Sequence, residues 1–232
     1  MSLLSQTVHH QPADIERTSM AIIARELADR GITLPAENEA VVRRVIHTTA
    51  DFDYAAQLRF TPGAVQKGAA ALQAGAPIIT DTNMAKAGVS KPSLARLHSE
   101  VHCFMADPAV AEAARQNGTT RAVASIAHAA GDPALRGGIF AVGNAPTALL
   151  ALCDQMEANP DFRPALVIAV PVGFVNVVES KEQIFAACTR LSVPCIAAMG
   201  RKGGSNVAAA ICNALLYTAA DTLDPAARGW QG

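Results

Sequence analysis

The chain is poor in aromatic residues, at 4%, and carries almost no net charge, −1 from 19 basic and 20 acidic side chains. It also lacks any apolar run near the ~18 residues that a bilayer-spanning helix needs. Near-neutrality excludes a broad nucleic-acid surface, whose affinity comes mainly from phosphate neutralisation. It leaves room for a local cluster of cations around a small polyanion. The five cysteines are odd in number and form no CxxC pair. They read as buried free thiols in a reducing compartment, with no ligand-like clustering. Residues 1–20 hold His9, His10, Asp14 and Glu16 and no apolar core, so no secretory signal is expected and the protein reads as cytoplasmic. Several motifs are missing too. There is no Gly-x-Gly-x-x-Gly after the first strand, no Walker A loop, no Gly-x-Ser-x-Gly elbow and no His-Glu-x-x-His. These absences argue against nucleotide binding, serine hydrolysis and a protein-held metal.

What is present is small and apolar. Half of the 232 residues are hydrophobic and mean hydropathy is +0.21, which excludes a disordered chain. A single α/β domain over 1–232 is expected, with residues 1–13 and 221–232 as loose ends. Five short apolar runs bounded by Gly or Pro read as strands covered on both faces: 77–81, 100–105, 138–143, 165–170 and 193–198. Helical patterns lie between them, at 108–117, 119–130, 147–158, 181–191 and 206–219. That alternation implies βαβ crossovers and a five-stranded parallel sheet. Helices at 14–30, 35–49 (with Pro35 in its first turn) and 61–74 are expected to precede it.

In an open parallel sheet, ligands bind beyond the carboxyl ends of the strands. Three junctions there share a form: Gly143-Asn144-Ala145-Pro146-Thr147, Pro171 to Asn176 with Glu179-Ser180-Lys181, and Gly200-Arg201-Lys202-Gly203-Gly204-Ser205. Each is small or Gly-bearing and leads into a helix, whose N-terminal N–H groups suit anions. Any one alone reads as an ordinary βα turn. Three together, one strongly cationic, point to an anion-binding cleft. Arg17-Thr18-Ser19 and Thr120-Arg121 pair a guanidinium with hydroxyls, a combination able to hold carboxylates.

His47 stands near the end of a helix, with Asp51 and Asp53 just beyond to orient its ring or raise its pKa. An imidazole with an ordinary pKa of about 6.5 is the natural proton donor near neutrality. A histidine in the last turn of a helix is also what the macrodipole favours, and the residues alone leave both readings open. His102 reads as a hydrogen-bonded core residue within a strand, and His98 and His128 as helix-surface or loop positions.

Arg43 to Asp51, Thr80-Asp81-Thr82-Asn83-Met84, Gly143 to Leu149, Gly173-Phe174-Val175 with Glu179-Ser180-Lys181, and Gly200 to Ser205 occur in this order. Together they resemble the precorrin-8X methylmutase (precorrin isomerase) family of corrinoid, or cobalamin, biosynthesis, from about Asp14 to Ala220. The resemblance implies a flavodoxin-like three-layer α/β/α fold and a homodimer with the tetrapyrrole near the subunit interface. It implies an isomerase that moves a methyl group from C-11 to C-12 of the macrocycle by a 1,5-sigmatropic shift, giving hydrogenobyrinate. The product would pass to neighbouring pathway enzymes, and no cofactor is implied. His47 matches the family's catalytic acid.

On this basis Arg17, Ser19, Arg121, Lys181, Arg201 and Lys202 are candidates for the substrate's carboxylates. Gly143, Asn144 and Ser205 would supply close backbone or hydroxyl contacts, and Thr80, Thr82 and Met84 would lie beside the ring. Ala85 stands where the family often has Val or Thr; if that segment faces the ring, the pocket is larger there. The chain equally fits the same shift on cobalt-precorrin-8. A non-catalytic corrinoid carrier is the alternative from a different class.

Overall fold

The computed structural model of the chain describes residues 11–228. His9, His10 and the outermost parts of both expected loose ends lie outside the described residues. The five apolar runs form the parallel strands β2 (Ile78–Thr80), β3 (Val101–His102), β4 (Ile139–Val142), β5 (Leu166–Ala169) and β6 (Cys195–Ala198). Alternate side chains point to opposite faces, as strand geometry requires. Ile78, Ile139, Ala141, Leu166, Ile168 and Ile196 enter one apolar core. Ile79, Phe140, Val142, Val167, Ala169 and Cys195 enter the other. Two buried faces explain why the strands read as continuous apolar runs rather than alternating ones.

The sheet is not five-stranded and all-parallel, as expected. Among the described residues it has six strands, in the order β1-β6-β5-β4-β2-β3, and β1 (Leu58–Phe60) pairs antiparallel with β6. Leu58 lies opposite Ala198 and Phe60 opposite Ile196. The three-residue Leu-Arg-Phe strand, with Arg59 exposed at its centre, makes no apolar run. It covers the β6 edge that would otherwise stay unpaired.

On the first face lie α1 (Pro12–Asp29), α2 (Glu39–Thr49), α3 (Tyr54–Gln57), α4 (Ala64–Gln73), α5 (Asn83–Gly88), α6 (Lys91–Arg96) and α11 (Ser205–Ala219). The second face carries α8 (Arg121–Gly131), α9 (Pro146–Ala158) and α10 (Val177–Arg190), with α7 (Pro108–Gln116) packed on α8. Among the described residues, no helix is long and apolar enough to cross a membrane. Small residues let these layers approach closely. A Cβ on Gly88 would come within 2.8 Å of the Ala209 Cβ, so α5 can lie against α11 only with glycine there.

Three boundaries differ from expectation. Pro35 does not open α2: residues 35–38 form a turn in which the Asn38 N–H donates to the Pro35 carbonyl at 2.9 Å, and the helix starts at Glu39. The six-residue helices α5 and α6 were not foreseen. The segment 221–228 is not loose: Thr222 and Pro225 are buried and the Arg228 side chain is 6% exposed.

Candidate active site

The chain leaves β3, crosses β2 and adds β4 on its far side, so the sheet's order reverses between β2 and β4. The segment after β2 turns to the first face as α5, and the segment after β4 turns to the second as α9. A crevice at such a point is the usual ligand position. Here the protein fills part of it with its own carboxylate. Asp81, just past β2, is buried. Its Oδ1 accepts the Gly143 N–H at 2.8 Å, and its Oδ2 accepts those of Asn144 at 2.8 Å and Ala145 at 2.7 Å. Burial pushes the carboxyl above its usual range, and the three amide donors pull it back. The amides at the start of α9 are therefore spent internally. This corrects the expectation that Gly143 and Asn144 offer backbone contacts to an outside anion. Gly143 has no room for a side chain, since a Cβ would sit 2.8 Å from the Ser205 Cα.

Other candidates at this rim are also occupied. The buried Thr80 hydroxyl bonds the Thr82 and His102 carbonyls, each at 3.1 Å, and ties β2 to β3. The Thr82 hydroxyl caps α5 by accepting the Ala85 N–H, and pairs with the Ser205 hydroxyl at 2.8 Å. Ala85 is 0% exposed and belongs to the core beneath α5, so it does not face a pocket as its position in the motif suggested.

Lys181 is likewise not a surface cation. It is 0% exposed, and its Nζ donates to the Gly200 carbonyl at 2.9 Å and the Lys202 carbonyl at 2.8 Å. It braces the β6–α11 loop from beneath. Burial lowers its pKa from the 10.5 of a free lysine to about 8. Between those values the unfolded chain holds the extra proton, so the burial penalty is full below about 8 and is relieved as pH rises toward 10.5. Wild-type stability relative to Lys181→Met should therefore increase across that window. Urea unfolding of both proteins from pH 7.5 upward, taken here as roughly the start of the window, reads this directly. A difference that shrinks with pH would contradict it.

What the rim presents outward is apolar and cationic. Phe174 is 83% exposed, Val175 75%, Met84 71% and Val172 48%. The Arg201 guanidinium lies 5.3 Å from the Phe174 ring centroid. Arg121 opens α8 after its cap Thr120, whose hydroxyl bonds that of Thr147 at 3.1 Å. Arg121 and Arg201 are exposed, and neither pairs with a carboxylate among the described residues. Such a surface suits a flat apolar body with anionic arms.

His47 belongs to a second group of side chains, on α1, α2 and the C-terminal turn. Residues Val41, Val42, Val45 and Ile46 bury one side of α2. His47 emerges half-buried in the last turn, and the helix stops at Ala50, which takes the left-handed conformation at φ 54°. Beside it lies an ion cluster that the sequence reading did not detect. Glu16 of α1 accepts from Arg44 of α2 and, through both oxygens at 2.8 Å, from Arg228. The Arg228 guanidinium stacks 3.7 Å from the Tyr217 ring centroid. Burial and the Arg44 charge push the His47 imidazole below its ordinary pKa; Glu16 opposes this and Arg228 adds to it. Arg17 and Ser19 sit on the same helix as Glu16. Arg17 is half spent on Asp14 at 2.8 Å and Asp224 at 3.4 Å.

Lys202 joins the two groups. Its Nζ reaches Asp51 Oδ2 and Asp53 Oδ2, both at 2.6 Å. These aspartates serve the lysine, not the His47 ring. Hydrogen bonds to the two carboxylates, and then their charges, drive the Lys202 ammonium pKa upward, and the Lys202 hydrogen bond holds the Asp51 carboxyl below its usual range. The residues that follow His47 are thus fastened to the strand-end rim.

The remaining chemistry-bearing residues contribute less. His102 is not a core residue: it is half-buried and lies 3.4 Å from Glu100. All five cysteines are unpaired. Cys188, Cys195 and Cys212 are buried, whereas Cys103 and Cys153 are only partly so. Burial pushes the thiols of Cys153 and Cys212 up to about 12, so neither offers a thiolate near neutrality. A hollow of about 760 Å³ is lined by Lys91, Arg96, Asn213, Tyr217 and Arg228 among others. It adjoins the C-terminal half of α11, at the far end from Ser205 and the rim, and Arg228 of the charge cluster beside His47 lines it.

The chain is similar to known proteins over nearly its whole length. The family model described as precorrin-8X methylmutase matches residues 14–218. A cobalt-precorrin-8 methylmutase of Salmonella typhimurium is 43% identical, over 89% of this chain and 95% of that protein. A precorrin-8X methylmutase of Pseudomonas aeruginosa is 41% identical, over 87% of this chain and 93% of that one. The crystal structure of a precorrin-8X methylmutase from Thermus thermophilus superposes with a TM-score of 0.79 at 43% identity, covering 89% of this chain and 98% of that one. From the helix that carries His47 to the Arg-Lys loop after β6, the chain belongs to the precorrin-8X methylmutase family.

Proposed function

We propose that this enzyme, an isomerase of cobalamin biosynthesis, moves the methyl group from C-11 to C-12 of precorrin-8X to give hydrogenobyrinate. The family match over residues 14–218 carries the reading. The rim supports it, because an exposed Phe174 beside Arg201, with Arg121 unpaired among the described residues, suits a planar macrocycle bearing acetate and propionate arms. The shift neither adds nor removes atoms. It is eased when a ring nitrogen is protonated, since that draws electron density from the π-system. His47 donates this proton, and takes it back once the methyl group has moved.

The depressed pKa of His47 gives the proposal a pH signature. In the free enzyme the acid form is lost as pH rises through a midpoint below the ordinary histidine value. A bound substrate brings carboxylates that favour the imidazolium. The alkaline limb of kcat/KM, which reports the free enzyme, should therefore lie at lower pH than the limb of kcat, which reports the complex. Coincident limbs would remove the coupling between binding and protonation.

A second reading rests on the relatives: proteins of both names match at similar identity, so cobalt-precorrin-8 is an alternative substrate. Single-turnover absorbance spectra with metal-free and cobalt-loaded substrate separate the two. Retention of an unchanged spectrum with both would instead mark a carrier.

The order β3-β2-β4-β5-β6 of the parallel strands supports a flavodoxin-like description. The apolar residues exposed at the rim support a homodimer whose partner helps to enclose the macrocycle. Light scattering of the purified protein should give twice the 24.1 kDa chain mass. Five unpaired cysteines favour the cytoplasm.

A further inference from the structure

Arg228 lies beyond residue 218, where the family match ends, yet its side chain is among the least exposed of the charged groups. It clasps both oxygens of Glu16, covers the face of Tyr217 and donates to the Thr222 and Leu223 carbonyls, each at 2.8 Å. Glu16 in turn holds Arg44, which stands one turn before His47 on the same side of α2. The charges that act on His47 are then Arg44 from its own helix, Glu16 from α1 and Arg228 from the C-terminal turn. From α11 comes only the Tyr217 ring beneath the guanidiniums. Past the end of α2, Lys202 is shared by Asp51 and Asp53, so that group keeps one excess negative charge, but it is tied to the ammonium and away from the Glu16 cluster. One carboxylate between two guanidiniums leaves a net positive charge on that side of the imidazole.

We propose that the C-terminal turn is part of the catalytic apparatus, with Arg228 as a positioning residue that sets the charge His47 faces. The inference rests on His47 as the acid. It accounts for a free enzyme whose imidazole gives up its proton more readily than an ordinary histidine, and it gives the tail a role beyond closing the fold.

The test is an NMR titration of the His47 ring in the full chain, assigned by loss of its signal in His47→Asn. In Arg228→Met the midpoint should move to higher pH, because one positive charge is gone. In Glu16→Gln it should move to lower pH, because the carboxylate between the two guanidiniums is gone. Arg228→Lys should return it toward wild type. Should Glu16→Gln fail to fold, the Met and Lys variants at 228 still decide the matter. A purely structural residue would cost stability without moving the midpoint, and an unmoved midpoint in folded Arg228→Met overturns the proposal. The alkaline limb of kcat/KM should follow the midpoint. If the midpoint moves and the limb does not, the assignment of His47 as acid fails, and the catalytic role of Arg228 with it.

Discussion

His47→Ala should bind the tetrapyrrole nearly as wild type does and turn it over about 10²–10⁴-fold more slowly, the usual contribution of a positioned general acid. In energy this is about 3–5 kcal/mol of transition-state stabilisation. The loss should fall on kcat and kcat/KM alike, with KM little changed, because the proton is shared with the ring only as the methyl group migrates. The fold should survive: His47 is half-buried, and the core side of α2 is made by Val41, Val42, Val45 and Ile46. Steady-state kinetics with a thermal-unfolding control reads both effects. Turnover at the wild-type rate would leave His47 as no more than a helix-end histidine.

The second large effect concerns stability. Asp81→Ala would leave the amides of Gly143, Asn144 and Ala145 without their acceptor at a crowded, partly buried junction. Orphaned buried donors cost about 1–3 kcal/mol each, partly recovered where water can enter. A net loss of about 3–5 kcal/mol follows, or roughly 10 °C in Tm for a chain of this size. Asp81→Asn should recover only part of it, because its NH₂ group would face amide donors. A variant as stable as wild type would show that the β4–α9 junction holds its shape without the carboxylate.

Four of the parallel strands were legible because burial on both faces leaves an apolar run, with Pro or Gly at one end or both; the half-buried β3 was legible more weakly, from Val101 and the apolar residues after His102. β1 was not, because Arg59 interrupts it and its pairing with β6 exists only in three dimensions. Helices α5 and α6 are too short for a 3.6-residue period to repeat. At the site, the junction loops were readable from their glycines and cations, but their occupants were not. Asp81 reaches amides 62 residues away, and Arg228 reaches Glu16 across 212. Lys181 sits in a run, Glu-Ser-Lys, that reads as solvated, yet its Nζ is turned inward beneath the Gly200–Lys202 loop. In each case a polar side chain satisfies backbone or charge far along the chain, a relation that periodicity cannot carry. Asp81 did leave one signal, an acidic residue directly after the buried Ile78-Ile79-Thr80 strand.

The most direct measurement is a crystal structure of the enzyme with hydrogenobyrinate bound. The account predicts the His47 imidazole within hydrogen-bond reach of a macrocycle nitrogen, about 2.6–3.2 Å or through one water, with Arg121 and Arg201 on its carboxylate arms. A macrocycle bound with its nitrogens remote from His47, and no bridging water, would contradict the account.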